Sequence, residues 1–382
     1  IKGSNYIRKN QSNYGWDWGP MCVTAGIWKD IELVCYSDSK IDHVQTKQVH
    51  DLESVELTVV TSLTRDCKDG DEMLIEVSFK GEEVTKLKVP ATGKVIEERV
   101  VINNPKKWWP NNLGDQNLYD VRVSLYNEDS VLDSVTERIG LRTLVLDRHP
   151  DEFGESFQFV VNGIPFFAKG ANWIPIDTIV TRGTDEFYED LLLKAKEANM
   201  NFIRVWGGGI YEMDVFYKLC DELGLCVWQD FMFACSAYPV YDKDYMKTVK
   251  AEFRDNIIRI RNHPCLALWC GNNEIEYIDF LVDDDINKGT MTWDEYKYLF
   301  DDVIPKMVEK YDGEHDYWAS SPMDSADEVR TDGKDPTKGD AHLWDVWHGR
   351  EPFEWYRTCD HRFNSEFGFQ SFPEPEVVKG YT

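Results

Sequence analysis

Between residues 55 and 125, apolar and polar side chains alternate. Val55, Leu57 and Val59 form one such run, Met73, Ile75, Val77 and Phe79 a second, and Val121, Val123 and Leu125 a third. A period of two marks strands with one buried and one solvated face. Turn-forming stretches separate the runs: Asp69-Gly70, Lys80-Gly81 and Pro110-Asn111-Asn112-Leu113-Gly114. The spacing predicts a β-sandwich of about a hundred residues that ends near Arg142.

After Arg142 the pattern changes. Phe157, Phe159 and Val161 predict a strand that turns at Asn162-Gly163, and apolar strands then alternate with amphipathic helices. Residues 166–173 precede a helix opened by Thr184, with Phe187, Leu191, Ala195 and Ala198 on one face. Residues 202–208 precede a helix carrying Val215, Phe216, Leu219 and Leu223, stopped by Gly224. Residues 225–231 precede a helix with Met246, Val249, Phe253, Ile257 and Ile260 at spacings of three and four, and the apolar run 266–270 follows. Asn262-His263-Pro264 ends that helix, because proline blocks its continuation. Further strands are expected within 317–321, 341–347 and 362–367. Repeated strand–helix units with continuous apolar strands mean a parallel sheet covered by helices. Seven β units in this order predict a (β/α)₈ barrel that lacks its eighth strand; a doubly wound sheet remains open on the pattern alone, and the chemistry at the strand ends favours the barrel.

Composition narrows the chemistry. The 382 residues carry 14 Trp and an aromatic share of 13%, and rings beyond the needs of a core often grip flat apolar faces such as those of sugars. A net charge of −27 makes nucleic acid and anionic membranes poor partners. No apolar run approaches the roughly 20 residues that span a bilayer. The chain opens at Ile1 without a signal peptide, so a piece of something longer is expected. Nine cysteines form no C-x-x-C pair. Cys220, Cys226, Cys235, Cys265 and Cys270 lie in apolar stretches and read as reduced core residues, which favours a cytoplasmic location. The one Asn-x-Ser sequon, at Asn10, barely alters that reading.

In parallel α/β folds, polar residues at the carboxyl ends of strands line the ligand site. Here the second strand carries Arg204 and runs into Trp206-Gly207-Gly208-Gly209. The fourth ends in Trp269-Cys270-Gly271-Asn272-Asn273-Glu274, the sixth supplies His342, Trp344 and Trp347, and the seventh runs from Arg362 through Glu366 to Gln370. Two carboxyls flanking one bond are the machinery of glycoside hydrolysis, and a separation of roughly 5–5.5 Å would mean retention of configuration. Arg204 is expected to keep its partner carboxylate ionised while mutual repulsion raises the other.

WCGNNE at 269–274 and RFNSEFGFQSFP at 362–373 resemble the acid/base and nucleophile motifs of glycoside hydrolase family two. The linker RIGLRTL (138–144), with Phe159, Asn162-Gly163 and KGANWIP (169–175), is similar to that family's passage from sandwich to barrel. Within the family, GWDWGP (15–20), GIWKDIEL (26–33), WQDFMFACSAYP (228–239) and HLWDVWHG (342–349) resemble the β-mannosidase branch. The resemblance implies three regions: the last strands of a jelly-roll sugar-binding domain at 1–37, an immunoglobulin-like sandwich at 38–143, and a truncated catalytic barrel at 144–382. It implies Glu274 as general acid/base, Glu366 as nucleophile and Asn273 on the sugar's 2-hydroxyl. Trp16 and Asp17 would hold the terminal mannose of a β-mannoside, with Arg204, Trp206, His342, Trp344 and Trp347 as supporting and stacking residues. No cofactor and no metal are implied, because the carboxylates supply both proton and nucleophile.

Other readings compete. Where galactosidases of the family place a His-Tyr-Pro-like segment after the second-strand Arg, this chain has WGGG, which weakens that alternative. Another exo-glycosidase of the family, or a carbohydrate-binding piece without turnover, also fits. GWDWGP reads equally as sandwich core, although an Asp between two Trp is awkward to bury. WGGG lacks both G-x-G-x-x-G and the Walker lysine of a phosphate cradle. His342 and His348 have no third metal ligand at a suitable spacing. Asp283, Asp285 and Asn287 mimic a calcium loop, but Lys288 and Asp294 replace its Gly and Glu, so a solvated turn is expected.

Overall fold

The computed structural model describes residues 3–36, 38–276, 291–325, 335–369 and 373–380. The Asp283–Asn287 turn lies outside them. The chain divides into two compact units: residues 1–146 with 158–320, and residues 147–157 with 321–382.

In the larger unit, seven strands form two antiparallel sheets. β1 (Ile41–His50), β2 (Ser54–Leu63) and β5 (Val95–Asn103) pair in the order β1-β2-β5. β3 (Asp71–Phe79), β4 (Glu82–Pro90), β6 (Tyr119–Asn127) and β7 (Ser130–Ile139) pair as β4-β3-β6-β7. The alternation read from the sequence points inward: Val55, Leu57, Val59, Met73, Ile75, Val77, Val121, Val123 and Leu125 share one buried core. Lys80-Gly81 links β3 to β4 with φ of 53° and 84°, the doubly positive pair that a two-residue hairpin favours.

Five parallel strands follow, at Gly170–Trp173, Phe202–Val205, Cys226–Asp230, Leu266–Cys270 and Tyr317–Trp318, adjacent in that same order. No reversal of order, the mark of a doubly wound sheet, occurs among them. Helices α1 (Asp185–Glu197), α2 (Asp214–Leu223) and α3 (Lys243–Ile260) connect the first four strands. α3 buries all five expected positions. α2 ends where expected, with Gly224 at φ 75°. The face of α1 differs from expectation: Tyr188 and Leu192 are buried, whereas Phe187 is 40% exposed. Two overlapping apolar stripes exist on α1, and the Tyr188 hydroxyl selects one by donating to the buried Glu212 carboxylate at 2.5 Å.

The linker after the sandwich is held by Arg142. Its guanidinium donates to the carbonyls of Pro264 (3.1 Å) and Leu266 (2.7 Å), at the foot of the fourth parallel strand. Trp108, fully buried, donates its indole N–H to the Asp221 carbonyl at 2.8 Å.

The N-terminal stretch departs from expectation. Residues 4–6 and 11–14 are 3₁₀ turns, and no strand forms before Ile41 among the described residues. A strand needs a pairing edge, and these residues take other partners. Arg8 pairs with Glu252 through two bonds (2.9 and 2.7 Å), and Ser12 N–H donates to the Gly208 carbonyl at 3.0 Å.

In the smaller unit, short strands at Ala341–Leu343 and Asn364–Phe367 pair in parallel, bringing His342 opposite Glu366. A two-residue ladder, Pro150–Asp151 with Gly154–Glu155, belongs to the same unit.

Candidate active site

In the larger unit the polar residues expected at strand ends do converge, around Arg204. This side chain is 4% exposed. Its Nη2 donates to Asp230 Oδ2 (2.8 Å) and to Asn273 Oδ1 (2.8 Å), and Nη1 donates to Asn172 Oδ1 (2.9 Å). One guanidinium therefore ties the ends of the first four parallel strands together. Asp230 also accepts from Gly207 N–H and the Trp228 indole, both at 2.9 Å. Burial pushes the Asp230 carboxyl up, opposed by Arg204 and these donors.

The fourth strand's extension is shaped by Asn272, which is fully buried. Its amide donates to the Ala319 carbonyl (2.9 Å), and its oxygen accepts from Ile275 N–H and Ser320 Oγ, both at 3.0 Å. These bonds close a turn in which Glu274 takes φ 60°, a conformation L-residues rarely adopt. Glu274 is half-buried, and its Oε2 lies 3.2 Å from Cys235 Sγ. Asn273 Nδ2 faces the same sulfur at 3.4 Å. Cys235 is thus no core filler. Cys220, Cys226, Cys265 and Cys270 are buried as expected.

Trp206 closes one side of this region. The edges of Trp16 and Trp18 pack on it, with centroids at 4.8 and 5.6 Å. Gly208 is required beside it, because a Cβ there would lie 1.9 Å from the Trp206 ring. Trp16 is half-buried and Asp17 is exposed. GWDWGP is therefore not sandwich core.

The smaller unit holds the second acidic group. Glu366 is 7% exposed, and its Oε2 is 3.5 Å from His342 Nδ1. Ser321 Oγ lies 3.0 Å from His342 Nε2 and donates to Asp340 Oδ2 at 2.7 Å. Ser365, next to Glu366, donates to the same Asp340 oxygen at 2.5 Å. With Nε2 on the Ser321 hydroxyl, the His342 ring is held with Nδ1 toward Glu366. Trp347 meets Phe369 edge-on at 5.0 Å, and Trp344 packs on His348 at 5.8 Å.

Sequence reading assigns no individual role to Asp230, Trp18 or Asp340 and places Cys235 in the core. Asp230 obeys the strand-end rule and could have been found by it. Cys235 is set by a loop conformation that no spacing encodes. One further cluster, Asp221, His263 and Cys265, groups possible metal ligands. Burial pushes the Cys265 thiol well up, and Asp221 is engaged by His263 Nδ1 (2.6 Å) and Cys265 N–H (3.0 Å), so this trio reads as a structural clasp.

Residues 39–142 match the sequence profile of glycosyl hydrolases family 2, and residues 1–29 that of the glycosyl hydrolase 2 galactose-binding domain-like family. The chain belongs to glycosyl hydrolases family 2. It is 36% identical to beta-mannosidase B of Emericella nidulans and 37% identical to that of Aspergillus flavus, over 97% and 98% of its own length. It also superposes on the crystal structure of the β-D-mannosidase from Dictyoglomus thermophilum with a TM-score of 0.90 and 37% identity, covering 100% of this chain and 47% of that one. The chain spans about 45% of the length of those two curated relatives. A β-glucuronidase from Parabacteroides merdae, 19% identical with a TM-score of 0.58 over 72% of this chain and 32% of that one, shares the fold.

Proposed function

We propose that the protein containing this chain is a retaining exo-β-mannosidase that removes terminal β-D-mannose by double displacement. The observation that carries this reading is the placement of both acidic groups: Glu274 just beyond one parallel strand and Glu366 within another, each set in a polar network. Relatives named as β-mannosidases supply the sugar.

In this reading, residues 144–382 form the first seven strands of a (β/α)₈ barrel, behind a 38–143 immunoglobulin-like sandwich and the end of a sugar-binding domain at 1–37. Glu366 attacks the anomeric carbon as a carboxylate while Glu274 protonates the departing glycosidic oxygen. Glu274 then takes a proton from water, which attacks the anomeric carbon, breaks the bond to Glu366 and releases mannose with its configuration retained. Asn273, its carbonyl held by Arg204, offers Nδ2–H to the 2-hydroxyl. Trp16, Trp206, Trp344 and Trp347 provide ring surfaces, Asp17 a hydroxyl acceptor, and His342 a partner for Glu366. We further propose a reducing, cytoplasmic setting, in keeping with nine free thiols.

The test is Glu366→Ala in the full-length protein, assayed on nitrophenyl β-mannoside. Turnover should fall below about 1% of wild type with an unchanged melting curve. Retained turnover would overturn the mechanism. A preference for glucoside, galactoside, glucuronide or glucosaminide in the matching panel would overturn the sugar assignment.

A further inference from the structure

Cys235 sits in a loop locked to the Glu274 turn on both sides. Asn273 N–H donates to the Phe233 carbonyl (2.9 Å), and Cys235 N–H donates to the Asn273 carbonyl (3.0 Å). The loop is pinned again by Ala234 N–H on the hydroxyl of the buried Tyr238, at 3.0 Å. Within this rung Cys235 and Glu274 both take positive φ, 43° and 60°. Paired unfavourable conformations at facing residues persist only where surrounding bonds over-determine them. Here their outcome is a thiol 3.2 Å from Glu274 Oε2.

The direction of the hydrogen bonds follows from the Arg204 end. Arg204 can only donate, so Asn273 presents its oxygen to Arg204 and its Nδ2–H to the sulfur. Asn273 Nδ2–H points at the sulfur, and the thiol in turn donates to Glu274 Oε2. The chain of donors thus runs from the buried Arg204–Asp230 pair through Asn273 and Cys235 to one carboxyl oxygen.

We propose that Cys235 is a positioning residue for Glu274, its thiol donating to Oε2 and so fixing how the carboxyl is presented. This rests on the acid/base reading of Glu274. Losing a donor to the carboxylate disfavours its ionised form, so the acid should stay protonated to higher pH in a variant without the thiol.

The experiment is the pH profile of kcat/KM on β-1,4-mannobiose, whose departing sugar hydroxyl needs the proton, for full-length wild type, Cys235→Ala and Cys235→Ser. In Cys235→Ala the alkaline limb should move up by about half a pH unit, and kcat should fall several-fold with little change in KM. Cys235→Ser, which keeps a donor, should restore the limb. A wild-type limb in Cys235→Ala, or a serine variant that behaves like alanine, would overturn the proposal. Should the alanine variant not fold, infrared difference spectra serve instead: the Cys235 S–H stretch should shift in Glu274→Gln, and an unmoved band would overturn the proposal. Failure of the acid/base reading gives a separate result, namely a wild-type rate on mannobiose in Glu274→Gln.

Discussion

Arg204 and Asp230, at the ends of neighbouring parallel strands, form a buried ion pair with Nη2 and Oδ2 2.8 Å apart and side-chain exposures of 4% and 0%. Such a pair does little for net stability against an apolar replacement, yet breaking it leaves a charge that burial penalises. Its value here lies in orientation, because the same guanidinium fixes the Asn273 amide.

Arg204→Met should therefore cost about 3 kcal/mol or more in urea unfolding, by stranding Asp230. The double variant with Asp230→Leu should recover part of that stability and none of the activity. Full additivity of the two single losses would contradict the pairing argument.

Changing Glu274 should separate substrates by leaving group. Glu274→Ala should hydrolyse mannobiose at least a hundredfold more slowly than wild type, because general acid help is worth about 10²–10⁴ in rate. A nitrophenyl β-mannoside, whose phenolate leaves without a proton, should show a much smaller deficit in the first chemical step. Equal losses on both, read by single-turnover kinetics, would remove the acid role.

Trp16 packs on Trp206 from a segment tied to Gly208 by a backbone bond. Trp16→Ala should raise KM for nitrophenyl β-mannoside about tenfold, as expected for a lost ring contact of about 1.4 kcal/mol. Trp18→Ala, whose ring is more exposed and farther from Trp206, should do less.

His50 offers a test of pH dependence. Burial, with Lys107 and Arg142 nearby, lowers its pKa from 6.5 to about 4. Between these values the unfolded chain binds the proton and the folded chain does not, so this group's contribution to stability is complete above pH 6.5 and declines as pH falls toward 4. His50→Gln should flatten the fall in urea midpoint across that window relative to wild type. Identical slopes would assign the acid sensitivity to other groups.

Regular elements were legible because their signals are local and repeated. α3 carries one unambiguous stripe and a Pro264 stop, and its buried positions match the sequence reading. α1 carries two stripes, and partners outside the helix, Glu212, Trp173 and Phe216 among them, chose between them. Residues 26–33 have strand-like composition, but a strand depends on a neighbour, and these residues lie exposed.

The chain's order of apolar and polar residues determined the alternating strands of the first region, the parallel strands, the helix stops and the strand ends where Arg204, Asn273, Glu274 and Glu366 would fall. Those features depend on backbone periodicity and on residues a few positions apart. Tertiary structure decided that Asp230 takes up the charge of Arg204, that Asn273 is turned by it, and that Cys235 reaches Glu274 instead of filling a core. Such contacts join segments tens of residues apart through directional bonds only a few ångströms long, and no periodicity along the chain records where those bonds close.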